Sequence, residues 1–288
     1  MNYIFTHFSG DFEHAHRNNE RGILRLFESA KKHLTNFKIL FFTQNQLETH
    51  VPKSILEFAD NNKDTVEIIR IAPLDLAVGM HCQRYCFYYI YLKDNRKKFK
   101  DDDKFFHIDA SDVIFQGNIF DRIKPDGKIH VFYEDQNLIF NSSYTNTSWI
   151  EDIKPGSSEV IGKHFICCSG TVLLDNLLQF ENFLLDMSWY ILRIEKVMTK
   201  PLHDQALYNL IIHGALKKTF IKNEDITFHN NECPELVYTM HGVTAHNYTI
   251  TETGVSVNDV VPCVLHQYDR HKDTLFPVFN KIYNLETT

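Results

Sequence analysis

Through the first half of the chain the hydrophobic pattern switches repeatedly between two periods. Short, nearly continuous apolar runs at residues 3–8, 37–43, 66–72, 104–115 and 128–133 read as strands. Between them, residues 19–34, 52–60 and 82–95 carry apolar positions at helical spacing. In the first of these helices Ile23, Leu24, Leu26, Phe27, Ala30 and Leu34 share a face. Strands alternating with amphipathic helices predict βαβ units with right-handed crossovers. The expected class is α/β, with a mixed, mostly parallel central sheet flanked by helices. In such sheets the ligand crevice lies outside the carboxyl ends of the strands, so a polar cluster just after an apolar run gains functional weight.

The second half is less regular. Residues 141–158, rich in Asn, Ser and Thr, read as a polar loop, and residues 163–174 as a buried strand ending in a turn. Helices are expected over about residues 176–196 and 204–213, and residues 260–268 form a last apolar run. There is no repeat, low-complexity tract or linker, so a single domain over residues 1–288 is expected.

Charge and cysteine usage narrow the function classes. With 37 Asp and Glu against 30 Lys and Arg, the net charge of −7 lacks the basic footprint of a protein that holds a nucleic-acid backbone. No apolar run approaches the roughly 18–20 residues of a membrane helix, so no integral membrane segment is expected. Of the six cysteines, Cys82 and Cys86 lack a matching second pair, and Cys167 and Cys168 are adjacent, so no zinc template fits. They read as small buried hydrophobes in a reducing compartment. The first strand follows Met1 with no leader ahead of it, which points to the cytoplasm. The sequons at Asn141, Asn146 and Asn247 point the other way, but such triplets arise often by chance.

Four constellations are able to carry chemistry. In Phe105-Phe106-His107-Ile108-Asp109-Ala110-Ser111-Asp112-Val113-Ile114-Phe115-Gln116, two carboxylates three apart interrupt an apolar run. Carboxylate oxygens there suit Mg²⁺ or Mn²⁺ on a diphosphate, or simply a turn with local backbone bonds. Asp204, in His203-Asp204-Gln205-Ala206-Leu207-Tyr208-Asn209, opens a helix, where an acidic residue is expected in any case. His266, in Leu265-His266-Gln267-Tyr268-Asp269-Arg270-His271, follows the last apolar run and offers an imidazole ligand. Arg84, on a helix rich in tyrosine, is placed to fork onto a phosphate or to orient a carboxylate.

Taken in order, these motifs resemble a GT-A (Rossmann-like) nucleotide-sugar glycosyltransferase. The likeness is to the small enzymes that carry D-x-x-D-V-V-F-Q and a late H-Q-Y-D-R, and more distantly to the glycogenin-type transferases. It spans roughly residues 3–271. It implies a nucleotide-binding half over about residues 1–125 and an acceptor-binding half over about 126–288. It implies Mn²⁺ or Mg²⁺ on Asp109, Asp112 and His266, although a strict D-x-D would pair Asp109 with Ser111. Thr6, His7, Arg84, Asp109, Ser111, Ser169, Gly170 and Gln205 would contact a nucleotide-sugar donor, most simply a UDP-sugar, with Thr171 beside the sugar pocket. Asp204 and Arg84 would be catalytic: Asp204 as general base if the enzyme inverts, or, if it retains, as the group facing an oxocarbenium-like centre or as a nucleophile.

The acceptor implied is a glycan, a glycoprotein or a small molecule, and Tyr144, Trp149 and Trp189 are candidates to stack on a sugar face, with core packing the default for Trp189. Two other classes compete. A sugar nucleotidyltransferase would want a glycine-rich basic loop after the first strand, where Ser9-Gly10-Asp11-Phe12-Glu13-His14 stands instead. A non-catalytic glycan-binding protein on the same fold would have no need to keep Asp109, Asp112, Asp204 and His266 together.

Overall fold

The computed structural model describes residues 1–8, 19–44, 51–135, 138–194, 198, 203–230, 234–240 and 248–285. The loop at 9–14, Cys233, Asn247 and the expected end of the long helix at 195–196 lie outside the described residues. In chain order the elements are β1 (Asn2–Phe8), α1 (Asn19–His33), β2 (Phe37–Gln44), α2 (Lys53–Asn61), β3 (Val66–Ile71), α3 (Met80–Asp94), β4 (Lys104–Asp109), β5 (Val113–Phe115), α4 (Ile119–Arg122) and β6 (Ile129–Tyr133). They continue with α5 (Tyr144–Ile153), α6 (Ser157–Ile161), β7 (Cys167–Leu174), α7 (Leu177–Ile194), α8 (His203–Ile212), β8 (Ile226–His229), β9 (Val237–Thr239), β10 (Tyr248–Thr251), β11 (Gly254–Val257), β12 (Val264–His266) and α9 (Lys272–Ile282).

The fold is mixed α/β, with a seven-stranded, mostly parallel sheet in the order β3-β2-β1-β4-β7-β6-β8, a three-stranded sheet β5-β12-β9 and a hairpin β10-β11. The chain groups into two compact units, one of residue 1 with 71–106 and 125–229, the other of 2–70, 107–124 and 230–288.

In the second of these units β1 runs parallel to β2, from Asn2 opposite Phe37 to Phe8 opposite Thr43. Ile39 through Phe42 are all buried, as expected of a parallel strand covered on both faces. The α1 face predicted from spacing is buried, and Phe27 meets Phe41 edge-on with ring centroids 5.6 Å apart. The expected strand over 104–115 is two strands, β4 and β5, which belong to different sheets. Asp109, Ser111 and Asp112 break the alternation a continuous strand needs, and such residues favour a turn. Gly22 on α1 is where that turn seats: a Cβ there would lie 2.2 Å from the Ser111 carbonyl oxygen.

In the first unit β6 pairs antiparallel with β7 and parallel with β8. Every residue of β7 and every residue of α8 is buried. On α3, Cys82 through Tyr88 are buried without a break, so this helix has no polar face and its polar side chains must find partners inside. The polar stretch at 141–158 is not a loop but holds α5 and the start of α6. Ser143 caps α5 by accepting from the Asn146 N–H, and Ile150 and Ile153 form a buried stripe sparse enough to be hidden by the Asn, Ser and Thr around them. The expected strands at 163–174 and 260–268 are shorter, Cys167–Leu174 and Val264–His266.

The buried Asp186 carboxylate on α7 accepts from the backbone N–H groups of Thr219, Phe220 and Ile221 at 2.9, 3.1 and 2.9 Å. Three donors on one carboxylate pin the chain after α8 to α7. Asp186→Ala should cost about 3 kcal/mol or more, read as a lower urea midpoint, because three amides lose their acceptor. Two histidines set an acid limit. Burial, with the His164 ring adding, pushes His213 down to about 3, and burial with His130 pushes His229 down to about 4. The unfolded chain therefore binds protons that the folded chain refuses as pH falls below the ordinary histidine value. Stability should drop between pH 7 and pH 5 by roughly 1 kcal/mol for each group. Urea titrations of the parent chain and of His213→Gln, whose pH slope should be shallower, check this.

Candidate active site

β4 delivers Asp109 at its carboxyl end, the turn follows, and β5 begins one residue after Asp112. β12 lies antiparallel to β5 with His266 opposite Val113, which brings the imidazole back to the turn. The Nε2 atom of His266 is 3.3 Å from Asp109 Oδ2 and 3.8 Å from Asp112 Oδ2. Gln267, whose φ of 58° is in the left-handed region, donates its N–H to the Asp112 carbonyl at 2.8 Å and so fixes the ligand-bearing segments to each other. One ligand atom from each of Asp109, Asp112 and His266 lies within 4.8 Å of the other two.

A cation would relieve the electrostatics of this cluster. Burial pushes the Asp112 carboxyl up to about 7; the Asp109 and Asp269 carboxylates add to the shift and His266 opposes it. Two carboxylates and one imidazole are a donor set that Mn²⁺ or Mg²⁺ accepts, and a divalent ion would offset the like-charge repulsion. The residues fit the metal that the sequence motifs imply.

The second cluster is in the other unit. Arg84 Nη2 on α3 donates to Asp204 Oδ2 in the first turn of α8 at 2.8 Å, and both side chains are about 5% exposed or less. Ser169 Oγ on β7 lies 3.5 Å from the same oxygen. The other oxygen, Asp204 Oδ1, is buried with no hydrogen-bond partner among the described residues. A helix N-terminus alone would account for an acid at this position, but not for an internal arginine dedicated to it.

Beside it Gln205 Nε2 donates to Glu134 Oε2 and to Asn146 Oδ1, each at 3.1 Å. A carboxylate has nothing to donate, so Glu134 dictates which end of the Gln205 amide faces it and leaves the carbonyl oxygen to accept elsewhere. Asn209 anchors α8 to β7: its amide accepts from the Cys167 N–H and donates to the Cys167 carbonyl, both at 2.8 Å.

The predicted residues thus fall into two groups, Asp109, Asp112 and His266 in one unit and Arg84, Ser169, Asp204 and Gln205 in the other. Ser111 contributes its carbonyl, which accepts from the Tyr268 hydroxyl at 3.3 Å. Thr6 and His7 are buried on β1, and Thr6 Oγ1 has no hydrogen-bond partner among the described residues. Gly170 and Thr171 are buried on β7. Trp189 is not core: it is 41% exposed on α7, with the Arg193 guanidinium 3.6 Å from its ring centroid. Tyr144 is 90% exposed on α5.

Glu134 and Asn146 were missed by motif. Glu134 had the same signal as Asp109, an acid closing an apolar run, whereas Asn146 lay in the supposed loop. Cys82, Cys86, Cys167, Cys168 and Cys263 are buried, as expected of small hydrophobes, and form no disulfide among the described residues. Among the described residues no helix is long and apolar enough to cross a membrane.

The buried pair makes a prediction that does not depend on chemistry. Arg84→Met strands the Asp204 carboxylate and should cost about 3–5 kcal/mol of folding stability, while Arg84→Met with Asp204→Leu should recover most of it. Denaturant titration of the two singles and the double measures the coupling.

Neither family models nor curated protein sequences match the chain. Among solved structures it is similar to the apo form of the glycosyltransferase GlyE of Streptococcus pneumoniae TIGR4, with a TM-score of 0.52 and 13% identity over 99% of this chain. The chain spans 63% of the length of that GlyE chain. Mouse xyloside xylosyltransferase 1 in its apo form matches with a TM-score of 0.49 and 12% identity, over 92% of this chain and 97% of that one. A glycosyltransferase involved in the glycosylation of the major capsid of PBCV-1 matches with a TM-score of 0.46 and 13% identity, over 94% and 98%. The similarity to GlyE shows a GT-A-like glycosyltransferase fold.

Proposed function

We propose that this chain is a metal-dependent glycosyltransferase that moves a sugar from a nucleotide-sugar donor, a UDP-sugar, to an acceptor hydroxyl on a glycan, a glycoprotein or a small molecule. The observation that carries this is the Asp109, Asp112 and His266 cluster, formed where β4 ends and supported by the likeness of the fold to GlyE. These three side chains would hold Mn²⁺ or Mg²⁺, which when bound supplies positive charge against a departing diphosphate.

The remaining work falls to the chain's own side chains. Arg84 spends one of its donors on Asp204 and so holds that carboxylate in one orientation. Asp204 Oδ1, which has no donor among the described residues, is the acceptor that a sugar hydroxyl would satisfy, and its carboxylate is suited to face positive charge developing at an anomeric carbon. In an inverting reaction the same oxygen would take the acceptor's proton. Gln205, oriented by Glu134 and Asn146, would offer its carbonyl oxygen to donor or acceptor hydroxyls. Ser169 would line the sugar pocket.

The test is a panel of nucleotide sugars assayed for hydrolysis and transfer with Mn²⁺, with Mg²⁺ and with chelator. One donor should turn over, and chelator should abolish it. Asp112→Asn and His266→Ala should each lower kcat at least about 100-fold, and Asp204→Asn by a similar factor. Nucleotide binding indifferent to metal, with no turnover, would instead indicate a non-catalytic glycan-binding protein. No response to any nucleotide under any metal would overturn the assignment.

A further inference from the structure

Arg25, on α1, is completely buried, and no carboxylate pairs with it among the described residues. Its guanidinium donates to Asn280 Oδ1 at 2.9 Å and to the Tyr268 hydroxyl oxygen at 3.0 Å, and its carbon lies 4.0 Å from the Phe276 ring centroid. Burying a guanidinium against neutral partners is costly, so the position calls for a reason. The Tyr268 hydroxyl supplies one. Arginine can only donate, so the tyrosine oxygen accepts from it, and the one hydroxyl proton goes to the Ser111 carbonyl 3.3 Å away. That carbonyl stands between the two candidate metal ligands Asp109 and Asp112.

The same carbonyl is the one α1 approaches through Gly22, where a Cβ would sit 2.2 Å from it. One helical turn beyond Arg25, Ser29 Oγ accepts from the Phe115 N–H at 3.1 Å and holds the far end of β5. Gly22, Arg25 and Ser29 follow the i, i+3, i+7 spacing of one helix face. Tyr268 is also two residues from His266, so the Arg25–Tyr268–Ser111 chain of donors ties both ligand-bearing segments to α1. The Asp112 and Asp269 carboxylates are electrostatic neighbours of the tyrosine. With burial first, they push its hydroxyl up to about 12, against Arg25.

We infer that Arg25 and Tyr268 are positioning residues for the candidate metal site, holding the Asp109–Asp112 turn in its ligand geometry through the Ser111 carbonyl. This presumes the metal role proposed above for Asp109, Asp112 and His266. Without the brace, the turn is freed from α1 and the three ligands must be organised at the expense of binding energy.

The test is isothermal titration of Mn²⁺ into the parent chain, Tyr268→Phe, Gly22→Ala and, as control, Tyr283→Phe. Tyr283 makes the same kind of bond, hydroxyl to the Phe115 carbonyl at 3.1 Å, but at the end of β5 away from the ligands. Tyr268→Phe keeps the ring packing and should raise the Mn²⁺ Kd about 5- to 10-fold, with Gly22→Ala weakening binding in the same direction. Tyr283→Phe should lose comparable stability, read by urea, with a Kd within about 2-fold of the parent. An unchanged Kd in Tyr268→Phe, or an equal loss in Tyr283→Phe, would overturn the positioning role while leaving the metal site standing. If the parent chain itself takes up no Mn²⁺, the metal assignment fails, and the positioning role fails with it.

Discussion

A carboxylate withdrawn from water has to meet donors or a cation, and the architecture of this chain is organised around that requirement. Six acids are buried among the described residues: Asp103, Glu134, Asp135, Asp175, Asp186 and Asp204. Several are satisfied by the backbone and act as rivets. Asp186 gathers three amides after α8, Asp175 accepts from the Asp126 and Gly127 N–H groups at the approach to β6, and Asp103 accepts from the Lys100 N–H. Asp204 is held instead by an internal arginine on one oxygen, while the other has no hydrogen-bond partner among the described residues, which is what its proposed role toward a ligand would use.

The same distinction separates the two faces of the Asp109–Asp112 turn. Its backbone is held at several points: the Ser111 carbonyl by Tyr268, the Asp112 carbonyl by Gln267, and the flanking β5 by β12. Its carboxyl groups lie close together, and burial first, with the Asp109 and Asp269 carboxylates adding, pushes the Asp112 carboxyl up. A backbone held in place beneath close-set ligand side chains is how a cation site can be pre-organised, and here β12 and α1 supply that hold. Arg25 belongs to this picture as a buried charge used for placement.

How much of this could be read beforehand depends on the range of the interaction. The βαβ alternation, the α1 face and the buried β7 are short-range patterns and appear in the structure with boundaries shifted by a few residues. Asp109 and Asp112 were legible because acids closing an apolar run are costly unless used, whereas His266 was singled out only by the likeness of its motif to the transferases. Two local readings failed for identifiable reasons. The 104–115 run was read as one strand, but the turn through Ala110, Ser111 and Asp112 ends β4 and sends β5 into another sheet. The 141–158 segment looked like a loop because the buried stripe of α5 is only two isoleucines and an asparagine deep.

By itself, then, the sequence determined the fold class, the strand ends where chemistry would gather and the residue types able to do it, since all three follow from local period and the cost of burying polar groups. Local period and burial cost could not determine which of 16 histidines returns to the Asp109 turn, or that Arg84 pairs with Asp204 120 positions away. Nor could they show that Glu134 orients Gln205, or that Arg25 reaches Ser111 through Tyr268. These pairings are set by strand register and helix packing between distant segments, where many partners are chemically equivalent and only the closed three-dimensional arrangement selects one.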